Sequence, residues 1–105
     1  MVAAGEVGEV RSVAVEYVSQ YQAELGDPNH WQNDPSRSGP LGCVAGIGTH
    51  THHIASFVSG LRLVELSAEL ATLVPGHRLD DHATMHLRFD NGARGHLWCT
   101  TIAAR

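Results

Sequence analysis

One stretch of this chain, Gly42 to Gly60, repeats its apolar residues at the spacing of a helix, while the residues beyond it alternate mostly at the spacing of a strand. Val44, Ile47, Thr51, Ile54, Val58 and Leu61 fall at steps of three and four, which places them on one stripe predicted to be buried. Gly60 suits the left-handed turn that ends a helix. Gly46 and Gly48 are poor helix formers, so the first turn is expected to be irregular or pressed against another backbone.

Beyond the helix, Leu63 to Val74 puts Val64, Leu66, Ala68, Leu70, Thr72 and Val74 on one face and Glu65, Ser67 and Glu69 on the other, the pattern of a half-exposed strand. Pro75-Gly76 ends it, and His77 to His82 is a polar connection. Ala83 to Phe89 alternates again, with Ala83, Met85, Leu87 and Phe89 inward. Asp90-Asn91-Gly92 is a hairpin signal, because Asn-Gly accepts the positive φ angles of tight turns, and Ala93 to Ala103 is the returning strand. Ahead of the helix, Val10 to Ser19 reads as a strand with Val13, Val15 and Tyr17 on one face, its approach punctuated by Gly5 and Gly8. Gln20 to Pro40 has little periodicity and carries the loop signals Asp27-Pro28, Asp34-Pro35 and Gly39-Pro40. So long a loop in a small domain is often functional, and Trp31 in its middle needs a surface to pack on. The order predicts an α+β fold, a mostly antiparallel open β-sheet with one main helix packed on one face. The other face keeps Glu65, Glu69, Thr84, His86 and Arg88, polar and broad.

The 105 residues make a single domain, 1–105. Its 43% hydrophobic and 17% charged residues are those of a soluble globular chain. A net charge of -4, with the positive charge scattered over arginines, argues against nucleic acid. Lysine is absent, which excludes Schiff-base chemistry from this chain. Cys43 and Cys99, distant in sequence and both in apolar surroundings, are expected to be buried free thiols. Met1 to Gly8 lacks the basic start and apolar run of a secretory signal, no window has a membrane-spanning length, and the expected location is cytoplasmic.

Three of the eight histidines crowd into His50, His52 and His53. At about 100° per residue, His50 falls beside the apolar stripe, Gly46, His53 and Phe57 lie on the same flank, and His52 points away into solvent. Three readings stay open: His50 as an acid/base suited to proton transfer near neutrality; His50 and His53 as metal ligands, with Asp80, Asp81 or His82 adding a third; or polar residues on a helix flank and nothing more.

Trp31-Gln32-Asn33-Asp34-Pro35, Gly39, Gly46-Ile47-Gly48-Thr49-His50 and Phe57-Val58-Ser59-Gly60-Leu61 together resemble the second domain of the glucose–fructose oxidoreductase/inositol dehydrogenase (Gfo/Idh/MocA) family. Gly5-Glu6-Val7-Gly8-Glu9-Val10, Pro75-Gly76-His77-Arg78-Leu79-Asp80-Asp81 and Phe89-Asp90-Asn91-Gly92-Ala93-Arg94-Gly95 fit the same pattern, nearly end to end and in order. Family members use NAD or NADP, held in an N-terminal Rossmann domain, to oxidise or reduce sugars, inositols and related polyols. Their second domain is an α+β open sheet that supplies substrate contacts and the subunit interface. The resemblance implies that His50 is the active-site histidine that moves the hydroxyl proton, and that Trp31, Asp34 and His53 lie on the substrate side. Two positions depart from the pattern. Gly46 stands where an aspartate commonly orients the histidine, and Gln32 replaces a frequent arginine. No Gly-rich strand-turn-helix for dinucleotide phosphates is present, and the family's catalytic lysine belongs to the other domain. Met1 to Arg105 therefore resembles the first part of a second domain.

The expectation is a substrate-side and oligomerisation domain like that of an NAD(P)-dependent oxidoreductase, incomplete for catalysis alone and holding no cofactor or metal itself. The alternatives are a stand-alone, non-catalytic dimerising or small-ligand module and a histidine metal-binding protein. The implied partners are a second copy of the chain, through the open sheet face, and a Rossmann domain.

Overall fold

The structure, a computed structural model, describes residues 2, 4–23 and 30–103. The Asp27-Pro28 turn signal lies outside the described residues, as does the side chain of Gln32. The described elements are β1 (Ser12–Val18), a 3-10 turn (Trp31–Asn33), α1 (Pro35–Ser38), a π-helical turn (Val44–Gly48) that runs on into α2 (Thr49–Ser59), β2 (Leu63–Ala71), β3 (His82–Phe89) and β4 (Arg94–Thr100). The strands form one sheet in the order β1-β4-β3-β2. β1 is parallel to β4, while β4 and β3, and β3 and β2, are antiparallel. This is the expected α+β sheet with one main helix.

Register explains the two faces. Val13, Val15 and Tyr17 stand level with Gly95, Leu97 and Cys99, and those with Leu87, Met85 and Ala83. This is the covered face, where Cys43 and Ile47 from the helix start meet Ala83, Leu87, Phe89, Ala93, Leu97 and Cys99 in the core. Burying each large apolar side chain of this kind stabilises by roughly 1.5–3 kcal/mol. The opposite face carries Glu65, Thr84, His86 and Arg88, with Arg88 paired to Glu65 at 2.8 Å. The hairpin forms at Asp90-Asn91-Gly92, but only Gly92 takes positive φ (86°). A turn closed by Gly92 N–H to Phe89 C=O is followed by one left-handed glycine, so the loop spans three residues where a two-residue turn would need Asn91 left-handed too.

Three expectations need correction. The Gln20–Pro40 segment holds two short helical turns: Asp34 caps α1 by accepting the Ser36 N–H at 2.9 Å, with Pro35 in the first turn, where its missing N–H is harmless.

The helix buries a different stripe from the one its spacing suggested. Ile47, Thr51 and Ala55 are buried, whereas Ile54 and Val58 are 53% and 57% exposed. The helix opens on a π turn, where the N–H of Thr49 reaches Val44 C=O, five residues back. The buried line runs in steps of four, from Cys43 through Ile47 and Thr51 to Ala55. The irregularity falls on the stretch where Gly46 and Gly48 predicted one, and Gly48 lies against the Cys99 thiol.

β2 is not half-buried: its interior positions are exposed throughout, Leu66 and Leu70 included. Those two pair with Leu87 and Ala83 and so belong to the covered face. The helix, however, packs over β1 and β4, and its π turn over β4 and β3. β2 lies beyond its edge.

Candidate functional site

The helix flank emerges as its angular spacing predicts. Gly46, His50, His53 and Phe57 are all exposed, and the His53 and Phe57 rings stack with centroids 6.1 Å apart. His50 makes no side-chain hydrogen bond among the described residues. His52 points elsewhere and reaches Ser56 Oγ at 3.4 Å.

At the start of this flank lies a cleft of about 190 Å³, walled by Tyr21, Gln22, Trp31, Ser38 and Leu41 and floored by Gly42, Ala45 and Gly46. Trp31 thus comes to the same place as Gly46, the glycine standing one turn before His50. Gln22 Nε2 donates to Asn33 Oδ1 at 3.3 Å, which ties the exit of β1 to the turn that carries Trp31. Asp34 does not line the cleft. Its carboxylate accepts from Ser36 Oγ at 2.7 Å and lies 3.7 Å from Arg78. The Ser36 hydroxyl and N–H, then Arg78 and Arg37, hold its carboxyl below the usual carboxylate range. His50 and His53 lie further along the helix than the cleft-lining residues. The sequence reading missed Tyr21, Gln22, Ser38, Leu41 and Ala45. Only Tyr21, an aromatic just past a strand end, carried a signal that could have drawn attention.

Asp80 and Asp81, considered as sources of a third metal ligand, are both buried and committed to backbone. Asp80 accepts from the N–H groups of Gly42 (2.6 Å) and Val44 (2.9 Å), and its carbonyl accepts from Cys43 N–H. Asp81 accepts from Leu73 and Val74 N–H and lies 2.8 Å from His77 Nδ1. His82 pairs with the Trp98 indole N–H. Among the described residues no three His, Cys, Asp or Glu side chains converge as a metal set. The two thiols meet as buried free cysteines, Cys43 Sγ donating to Cys99 Sγ at 3.4 Å.

A dinucleotide does not fit these residues. Its phosphates need free N–H groups at a helix N-terminus, and here the groups that open the long helix are taken by Asp80. The cleft is also smaller than the roughly 300–1,000 Å³ typical of drug-sized ligands.

The family model for the GFO/IDH/MocA C-terminal domain matches residues 1–105. A curated Bacillus subtilis (strain 168) protein, the uncharacterized oxidoreductase YfiI, is 25% identical over 99% of this chain and 28% of its own length. An oxidoreductase from Sinorhizobium meliloti superposes with a TM-score of 0.80 at 37% identity, over 98% of this chain and 26% of that one. Levoglucosan dehydrogenase in complex with NADH and levoglucosan superposes with a TM-score of 0.87 at 26% identity, over 97% of this chain and 29% of that one. The chain therefore spans little more than a quarter of these proteins. Among the described residues no helix is long and apolar enough to cross a membrane.

Proposed function

The chain belongs to the Gfo/Idh/MocA oxidoreductase family, matching its C-terminal domain, and we propose that it is the substrate-side domain of an NAD(P)-dependent enzyme acting on sugars, inositols or related polyols. The observation that carries this reading is the cleft between Trp31 and Gly46, at the foot of the flank that presents His50 and His53. Trp31 offers a flat apolar face to a ring, and His50 stands exposed one turn on from the cleft floor, free to take or give a proton at a ligand hydroxyl. Nicotinamide supplies hydride chemistry. In this reading the cofactor is held by a Rossmann domain, the arrangement that the family resemblance implies. Levoglucosan dehydrogenase, with its bound NADH and levoglucosan, supports the assignment by likeness.

The same reading gives the broad polar sheet face to a second copy of the chain, and places the protein in the cytoplasm, where adjacent thiols such as Cys43 and Cys99 stay reduced. The test is a titration of the purified chain with levoglucosan, followed by amide and indole NMR shifts. The expected result is a saturable change confined to Trp31, Gly46 and the His50 flank, with no turnover of added NAD(P). Shifts scattered over the sheet, or oxidation of substrate by the chain alone, would overturn it. Light scattering checks the pairing, and a monomer at high concentration counts against it.

The loss of a carboxylate at Gly46 favours one second reading, a ligand-binding module of the same ancestry that no longer takes part in catalysis. Joined in trans or in cis to a family Rossmann domain, such a module would bind polyol without turning it over.

A further inference from the structure

Gly46 leaves a gap, and the structure shows what borders it. Among the described residues, a Cβ built on Gly46 would meet one neighbour within 4 Å, the Tyr21 hydroxyl at 3.8 Å, an ordinary contact distance. The room in which a carboxylate would sit is therefore open, and a phenol stands at its far side. The backbone that carries Tyr21 is pinned on both sides: Ser19 N–H donates to Thr100 C=O at 2.9 Å and Gln22 N–H to Thr101 C=O at 2.9 Å, at the end of β4. The hydroxyl itself has no hydrogen-bond partner among the described residues. Burial, then the neighbouring Cys43, Tyr17 and Cys99, pushes its ionisation above the usual tyrosine range, so it remains an O–H donor at neutral pH. Among the described residues, none that lines the cleft is charged. An anion entering it would lose water without gaining a counter-charge, whereas a neutral hydroxylated ring would exchange water for Tyr21, Gln22 and Ser38 while stacking on Trp31.

We propose that Tyr21 is a ligand-positioning and specificity-determining residue, whose hydroxyl binds a ligand hydroxyl through the opening left by Gly46 and so selects neutral polyols over sugar acids. This rests on the reading of the cleft as the substrate side.

The probes are myo-inositol and D-gluconate, titrated separately into the full chain and followed by NMR at the Gly46 amide and the Trp31 indole. Myo-inositol is expected to give saturable shifts, with gluconate at least tenfold weaker. Tyr21→Phe should weaken myo-inositol binding by at least fivefold with its melting temperature unchanged, since the ring is 57% exposed. Tyr17→Phe should bind as the wild type does. Unaltered binding of myo-inositol by Tyr21→Phe overturns the role of Tyr21 and leaves the cleft reading intact. Gluconate binding as tightly as myo-inositol overturns the selectivity. Failure of both probes to shift Gly46 or Trp31 overturns this proposal and the substrate-side reading together.

Discussion

His77 and His50 sit in opposite surroundings. His77 is largely buried, its Nδ1 2.8 Å from a carboxylate oxygen of Asp81. His50 stands exposed on the flank of α2, with a glycine where a carboxylate could have met it. Three aspartates are engaged with backbone: Asp80 closes the N-terminus of the long helix, Asp81 holds the turn after β2, and Asp34 caps α1. The fold thus depends on its buried aspartates, and the exposed histidines owe nothing to them. In the proposed function, proton chemistry at His50 would be set by the ligand and the partner domain rather than by these carboxylates.

The sharpest way to break this contrast is Asp81→Ala. Removing the carboxylate strands two backbone N–H groups and a largely buried imidazole. Each unsatisfied group costs about 1–3 kcal/mol, so a loss of about 4 kcal/mol is expected, a large part of a small domain's roughly 5–15 kcal/mol. Urea denaturation reads it, and a loss below about 1 kcal/mol would mean that water replaces the carboxylate freely.

Acid should act on the same group. Burial alone would raise the Asp81 carboxyl, but the N–H groups of Val74 and Leu73, with His77, together hold it below the usual carboxylate range. A depressed folded value means that the stabilisation is complete above the unfolded carboxylate range and is lost as pH falls through the folded value. Melting temperature should therefore fall on acidification from about pH 5 toward pH 3, and Asp81→Asn should start lower and fall less steeply. Equal slopes for the two proteins would assign the acid response to other carboxylates.

Two glycines in the helix start sharpen the contrast further. A Cβ on Gly42 would stand 2.5 Å from the carbonyl oxygen of Asp80, so Gly42→Ala must displace the helix from its cap, at a cost of about 1–3 kcal/mol. A Cβ on Gly46 would meet the Tyr21 hydroxyl at an ordinary 3.8 Å, and Gly46→Ala should stabilise by about 0.5–1 kcal/mol through helix propensity. Thermal melts of the two variants should move in opposite directions.

The legible part of the sequence was its local periodicity. Ala83, Leu87 and Phe89 are buried as their alternation required, and Asp90-Asn91-Gly92 turns the chain as its residue types required. The exposure of Ile54 and Val58 was hidden because steps of three and of four from Thr51 fit neighbouring stripes, and how the helix seats on β1 and β4 decides which is covered. The exposure of Leu66 and Leu70 depends on where the helix lands across the sheet, which no strand pattern encodes. The flank of Gly46, His50 and His53 could be read from angular spacing. The cleft could not, since Tyr21 reaches Gly46 only because β1 runs parallel to β4 and its exit is pinned to Thr100 and Thr101.

The smallest expected effect is the one that separates the two histidines most cleanly. His77→Ala removes a charge-assisted hydrogen bond from a buried carboxylate and should cost about 1.5–3 kcal/mol. His50→Ala removes an exposed side chain with no partner among the described residues, and should change stability by no more than about 0.5 kcal/mol. If the polyol titration then shows weaker binding, or a chain joined to a Rossmann domain loses turnover, the loss belongs to chemistry at the site, because the fold is unmoved. A destabilisation of His50→Ala comparable to that of His77→Ala would mean instead that His50 is held by structure, and would count against the proposed role of the helix flank.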